Sequence, residues 1–443
     1  MSEQATLKSN YVAYPEYKDS KIEWVGEIPS TWVINPAFVV FTEECLKNVD
    51  GREQNVLSLS YGSIKRRDIA SNSGLLPESF NTYQIVNNGD IILRLTDLQN
   101  DKKSLRVGRS TQKGIITSAY MKLVSQPPLD SRYAYRLLHS YDTTKVFYGL
   151  GGGLRQSMKF DDFRRLPILV PSIEEQRTIA AFLDYETARI DSLIDKQQRL
   201  IELLKEKRQA VISHAVTKGL NPAAPMKDSG VEWLGQVPEH WEVKKFNHCA
   251  RIRNGLVDPT DIRYRDLVLY APNHIEKETG KVIYRETALE QGADSNKYLC
   301  LKGEVIYSKI RPALAKVALC VEEIALCSAD MYPISCTNGL SNSWLYWFML
   351  SDNFTKAVVL DSDRVAMPKV NRDSLGAYRI PFPSTDEQVE ISSFLRSQTE
   401  KLDQIENEAV NAIQLMQERR TALISAAVTG KIDLRRWTPP REG

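Results

Sequence analysis

The sequence predicts an α+β chain: two globular α+β domains joined by two long helices that form an antiparallel coiled coil, with a pseudo-two-fold internal repeat. Three observations carry that expectation. Separate segments recur in the same order at a nearly constant spacing. Two of them begin and end long stretches of heptad-like apolar periodicity. The stretches between them are short β-rich runs that have drifted apart.

The repeat comes first in the argument. Lys18 to Trp32 recurs about 210 residues later as Lys227 to Trp241, keeping Lys, Asp, Ser, Glu, both Trp, Gly and Pro. Pro171-Ser-Ile-Glu-Glu-Gln176 returns as Pro383-Ser-Thr-Asp-Glu-Gln388, and Arg208 to Thr217 returns as Arg420 to Thr429. Three collinear matches are not a chance result, so the chain is two copies of one unit. Trp24 and Trp32, with Trp233 and Trp241, are expected to anchor each globular part to the helical frame. The expected boundaries are 1–171 for the first globular domain, 172–218 for the first helix, 219–383 for the second domain, 384–430 for the second helix and 431–443 for a tail.

Each helix opens on the S-x-x-E capping pattern, Ser172 to Glu175 and Ser384 to Glu387. The serine would accept from the third amide while the glutamate reaches back to the cap amide. The expected seam is Ile179, Leu183, Ile190, Ile194, Ile201, Leu204 and Val211 on the first helix. On the second it is Ile391, Leu395, Leu402, Ile405, Ile413, Met416 and Leu423. Gly219 and Gly430 stand where left-handed C-terminal caps belong. Two matching seams most simply bury each other, and a two-fold relation between copies makes the pair antiparallel.

The globular parts read as strands at 55–60, 90–95, 114–124, 267–271, 304–310 and 331–335, with helix-like stretches at 130–147 and 342–359. Basic residues cluster on the turns beside those strands. In the first part they are Lys65, Arg66, Arg67, Arg94, Lys102, Lys103, Arg106, Arg109 and Lys113. In the second they are Lys309, Arg311, Arg364, Lys369 and Arg372. Such side chains can neutralise phosphates, and an arginine can read a guanine edge with two hydrogen bonds. The interleaved aromatics Tyr61, Phe80, Tyr83, Tyr120, Tyr270 and Tyr298 are expected mostly to pack in cores.

Composition bounds the rest. With 42% apolar and 26% charged residues the chain fits a soluble globular protein, and a net charge of +2 announces no partner by itself. No apolar run approaches a membrane span, and Glu3, Lys8 and Asn10 break up any secretory signal, so no membrane association and a cytoplasmic location are expected. The six cysteines show no paired spacing, so no metal is expected, and buried free thiols are the reading. Phe147-Tyr-Gly-Leu-Gly151 and Asn35-Pro-Ala-Phe38 approach the cofactor and flipped-base loops of adenine methyltransferases. The second proline is missing at Ala37, however, and the segment before the glycines is polar. No phosphate-cradling G-x-x-x-x-G-K-[ST] loop occurs. No catalytic residue is assigned.

The Pro171–Gln176 helix start, the Ala210–Gly219 ending and the Lys227–Trp241 restart resemble the specificity subunit of type I restriction-modification systems, over essentially the whole chain. That resemblance implies a non-catalytic subunit that binds double-stranded DNA through two target-recognition domains, one for each half of a bipartite site. The helices act as a ruler between them. It further implies docking of two methyltransferase (modification) subunits carrying S-adenosylmethionine, and of restriction motor-nuclease subunits using ATP with Mg. No cofactor is expected on this chain. The alternatives are a self-contained DNA adenine methyltransferase and a coiled-coil protein scaffold without DNA binding.

Overall fold

In the computed structural model, described for residues 11–68, 79–98, 105–149, 157–362 and 368–440, both long helices form where periodicity placed them: Ile173–Lys218, 46 residues, and Thr385–Val428, 44 residues. Each is followed by its glycine in the left-handed region, Gly219 at φ +74° and Gly430 at φ +70°. That backbone suits glycine because a Cβ would crowd the following carbonyl.

The capping pattern is half realised. Ser172 Oγ accepts from the Glu175 amide at 3.3 Å, and Ser384 Oγ from the Glu387 amide at 3.3 Å. The carboxylates, however, turn outward from the helix instead of back to its cap. Glu175 Oε1 accepts from Trp32 Nε1 at 3.1 Å and from the Tyr14 hydroxyl. Glu387 Oε2 accepts from Trp241 Nε1 at 2.8 Å. Both indoles are fully buried, and a buried N–H without an acceptor costs more than an unused cap. The next residue is a second staple. Buried Gln176 accepts from the Asp130 amide at 2.8 Å and donates to the Pro128 and Pro171 carbonyls. Gln388 repeats this with the Ser341 amide at 2.8 Å and the Gly339 and Pro383 carbonyls. The recurring P-S-x-[DE]-E-Q string is therefore a joint between helix and domain.

The chain divides into two units, residues 1–197 with 411–443, and residues 198–410. Each contains the start of one long helix and the end of the other. In the first unit a Cβ on Gly430, at the end of the second helix, would meet Trp32, whose indole is bonded to Glu175 at the start of the first. In the second unit Gly219, Trp241 and Glu387 repeat the arrangement with the helices exchanged. Start lies beside end, so the segments pair antiparallel. Ion pairs agree: Lys205 bonds Glu406 at 3.7 Å and Arg208 bonds Asp403, so partner numbers fall as the first numbers rise. Arg420 and Asp191 make the equivalent pair in the first unit at 2.9 Å.

In the first unit Ile179, Leu183, Ile190 and Ile194 are buried in one core with Leu423, Ile424, Ala427 and Val428, and Ile413 and Met416 pack against it. In the second, Leu204 and Leu402 are buried, Ile212, Ala215 and Val216 share a core with Ile391 and Leu395, and Val211 packs on its edge. Ile201 is half-buried. Ile405 departs from the expected seam: it is 42% exposed, while Ala409 is buried. The buried stripe steps from Leu402 through half-buried Glu406 to Ala409, and Ile405 lies one residue to its side.

The two globular parts share a four-stranded antiparallel sheet of one order. In the first the strands are Phe41–Glu43, Met121–Ser125, Ile91–Leu93 and Val107–Arg109. In the second they are Ala250–Ile252, Met331–Cys336, Val305–Ser308 and Val317–Leu319. Divergence lies outside it. The first carries hairpin Leu57–Ser60/Ser63–Arg66 and pair Gln84–Val86/Gly114–Ile116. The second carries another four-stranded sheet, Leu256–Val257, Lys297–Leu301, Ile324–Cys327 and Leu269–Tyr270. The expected 342–359 helix is broken at Ser351, giving Asn342–Leu350 and Asp352–Ser362. Asn35 lies on a strand opposite Ile168, while the Gly151 end of the glycine run lies outside the described residues. Cys249, Cys300, Cys320 and Cys327 are buried and Cys336 half-buried, but Cys45 is exposed, contrary to expectation. Among the described residues no helix is long and apolar enough to cross a membrane.

Candidate nucleic-acid interface

In the second unit the structure brings three of the sequence candidates together. The segment after strand Val305–Ser308 runs beside 368–370: Val370 N donates to Lys309 O at 2.8 Å, Ile310 bridges to Lys369, and Arg311 N donates to Pro368 O at 3.2 Å. Arg311 holds a left-handed backbone, φ 48° and ψ 60°, with its side chain exposed. A residue with a long side chain is strained in that region, and such strain persists where the surroundings impose it.

Beside this segment lies a cavity of about 450 Å³ lined by Lys297, Arg311, Lys316, Ser308, Gln291 and Asp330, among others. Lys297 and Lys316 were not anticipated, because neither sits in a basic cluster in the sequence. Burial pushes the Lys297 ammonium below its usual range; burial and then the Arg311 guanidinium do the same to Lys316. Lys316 Nζ donates to the Pro272 carbonyl, and Lys297 Nζ to Ser295. Lys309 lies 5.5 Å over the Tyr332 ring. Among the described residues, none of Lys297, Lys309, Arg311, Lys316 and Lys369 has a carboxylate within ion-pair distance. Among the described residues Asp330 is the one acid lining this cleft, so cations are in excess there, and an excess of positive charge around a concave surface attracts anions.

The first unit has a cavity at the matching place, between the end of strand Ile91–Leu93 and the turn before Met121. It measures about 360 Å³ and is lined by Glu43, Asp161, Lys159, Thr96, Ser118 and Tyr120, among others. Burial, then Asp161, raises the Glu43 carboxyl above the usual range. One duplicated cleft thus carries opposite charge in the two units.

Two candidates are held by internal hydrogen bonds. Arg106 is fully buried: its guanidinium donates to the carbonyls of Arg94, Thr96 and Asp97 and to Tyr148 Oη, pinning the loop after the sheet strand. Arg372 commits both terminal nitrogens to the Ile252 and Arg253 carbonyls, Asn254 and Tyr298, and lies over the Tyr298 and Tyr332 rings. A guanidinium so held is tied first to its own domain. In the first unit Lys65 and Arg66 are exposed on strand Ser63–Arg66, with Arg67 half-buried after it. Arg94 and Arg109 are half-buried, the latter bonded to Ser131 Oγ at 3.1 Å, and exposed Lys113 lies 3.9 Å from Glu53. Lys102, Lys103 and Arg364 lie outside the described residues. Of the aromatics, Tyr270 is buried, whereas Tyr61 is 87% exposed.

Comparison with known proteins agrees with this architecture. Residues 238–415 match the family described as type I restriction modification DNA specificity domain. The type I restriction enzyme EcoDI specificity subunit of Escherichia coli is 32% identical over 286 residues. That match covers 61% of this chain and 63% of the relative, so the chain spans less than two thirds of that protein's length. A chain solved in work on complex assembly and conformational transition of the type I R-M system has a TM-score of 0.67 at 12% identity, covering 90% of this chain and 98% of that one. The HsdS subunit from Thermoanaerobacter tengcongensis gives 0.52 at 12% identity, covering 91% and 98%. These two likenesses concern the fold. Residues 238–415 thus match the type I restriction modification DNA specificity domain, and the chain as a whole is similar to type I restriction-modification specificity subunits.

Proposed function

We propose that the chain is the non-catalytic, sequence-specific DNA-binding subunit of a type I restriction-modification complex. Each globular part reads one half of a bipartite duplex site, and the paired helices set the unread gap between halves. Two methyltransferase subunits dock on this frame and bring S-adenosylmethionine to adenine. Motor-nuclease subunits supply ATP and Mg chemistry, and the complex works in the cytoplasm. One observation supports the reading above others: the two parts keep the same sheet order and helix joints, while acids outnumber cations around one cleft and cations outnumber acids around the other. A duplicated frame with chemically different faces suits two different half-sites.

Arg311 at the second cleft, and Lys309 and Lys369 on the adjoining backbone segments, are the proposed DNA contacts. In the first part Lys65, Arg66, Arg67, Arg94, Arg109 and Lys113 remain the proposed set. The test is methylome sequencing of a host expressing this chain with its methyltransferase partner. A two-part adenine-methylated motif with a fixed gap is expected. A single continuous motif, or S-adenosylmethionine crosslinking to the isolated chain, would overturn the proposal.

A further inference from the structure

The geometry points to hairpin Leu57–Arg66 of the first unit as a DNA finger, with Tyr61 at its tip wedged against the bases of a groove and Lys65 and Arg66 on flanking phosphates. This rests on the proposed duplex binding and deepens it. The hairpin turns in two residues: Ser60 pairs with Ser63, and Tyr61 and Gly62 both take positive φ, 47° and 75°. Such a turn suits Asn, Asp or Gly at its first position, where a bulky aromatic is strained.

No contact among the described residues accounts for that strain. Tyr61 is 87% exposed, and among those residues its ring meets no other ring and its hydroxyl no hydrogen-bond partner. Its neighbour is the opposite. Gly62 is buried, its carbonyl accepts from the Tyr135 hydroxyl at 3.2 Å, and an added Cβ would stand 3.3 Å from Leu105. Ile64 is buried one step on. The turn is bolted to the domain at Gly62 while Tyr61 is held out to solvent. Lys65 and Arg66 beside it are exposed and form no ion pair among the described residues. A rigid aromatic tip with free cations behind it matches the chemistry of a duplex, whose bases offer apolar faces between charged strands.

The test uses the full chain and the duplex that the methylome experiment returns, with fluorescence anisotropy for affinity and thermal unfolding for the fold. Tyr61→Asn relieves the turn, so the melting midpoint should rise by about 2–4 °C. The same variant should bind the duplex about tenfold more weakly. Tyr61→Phe should keep both values. Stability and binding moving in opposite directions is a result that a purely structural tyrosine would not give. If the chain binds its duplex and Tyr61→Asn binds it equally well, the finger is wrong while the DNA reading stands. If Tyr61→Asn instead loses only the methyltransferase subunit, the tip docks protein and the inference also falls. A wild-type chain without salt-dependent duplex binding would overturn both.

Discussion

Neutralising the three cations on the joined segments at 309–311 and 369 of the second unit gives the sharpest measurable consequence of the proposed function. Lys309, Arg311 and Lys369 lie along adjoining backbone segments and have no carboxylate partner among the described residues. Their charge is therefore available to an incoming anion. Each cation that neutralises a duplex phosphate contributes about 0.9 to the slope of log affinity against log salt. The triple variant Lys309→Gln, Arg311→Gln, Lys369→Gln should flatten that slope by about 2.7. Between roughly 50 and 200 mM salt, the wild-type chain should then lose about 40-fold more affinity than the variant. The fold should survive. Inside the protein these substitutions remove chiefly the cation–π approach of Lys309 to the Tyr332 ring, which stabilises by about 0.5–1 kcal/mol. Anisotropy on a labelled duplex across a salt series reads the slope directly. Arg311→Gln alone separates two roles: a phosphate contact lowers the slope by about 0.9, whereas a base contact weakens binding at every salt and relaxes one target position. An unchanged slope in the triple variant would refute the assignment of these three cations as DNA contacts.

Two further outcomes are expected. Gly430→Ala should cost more than Gly219→Ala in urea unfolding, although both sit at the same helix end. Each incurs left-handed strain of about 1–2 kcal/mol. At Gly430 the new methyl also overlaps the Pro29 ring, adding about 1–3 kcal/mol. At Gly219 the contacts are tight but not overlapping, the Glu387 carboxylate at 3.3 Å and Trp241 at 3.4 Å, so those neighbours need give by only a few tenths of an ångström. Equal destabilisation would show that the two joints relax alike. His139, buried beside Arg420 and Arg136, is pushed down to about 4, first by burial and then by those cations. The unfolded chain takes that proton at about 6.5. Stability present above 6.5 is therefore lost as pH falls toward 4, by up to about 3 kcal/mol relative to His139→Gln. A wild-type-to-variant difference independent of pH across that window would contradict the burial argument.

What the sequence determined by itself is the part governed by short-range rules. Helix length, glycine caps, the duplication and most of the apolar seam follow from spacing along one chain, and spacing is visible in a string of letters. Tertiary structure decided which polar atoms meet. Glu175 and Glu387 satisfy local capping rules on paper, yet indoles from Trp32 and Trp241 claim their carboxylates because a buried N–H must be paired. Ile405 obeys apolar periodicity but falls beside the stripe that faces the partner helix. Arg106, Arg372, Arg311 and Lys316 look alike as cations in loops. Packing makes the first two into internal bolts and sets the last two around an open cleft. The reason is physical: a charge is functional or structural according to who surrounds it, and its surroundings are assembled from residues far apart in sequence.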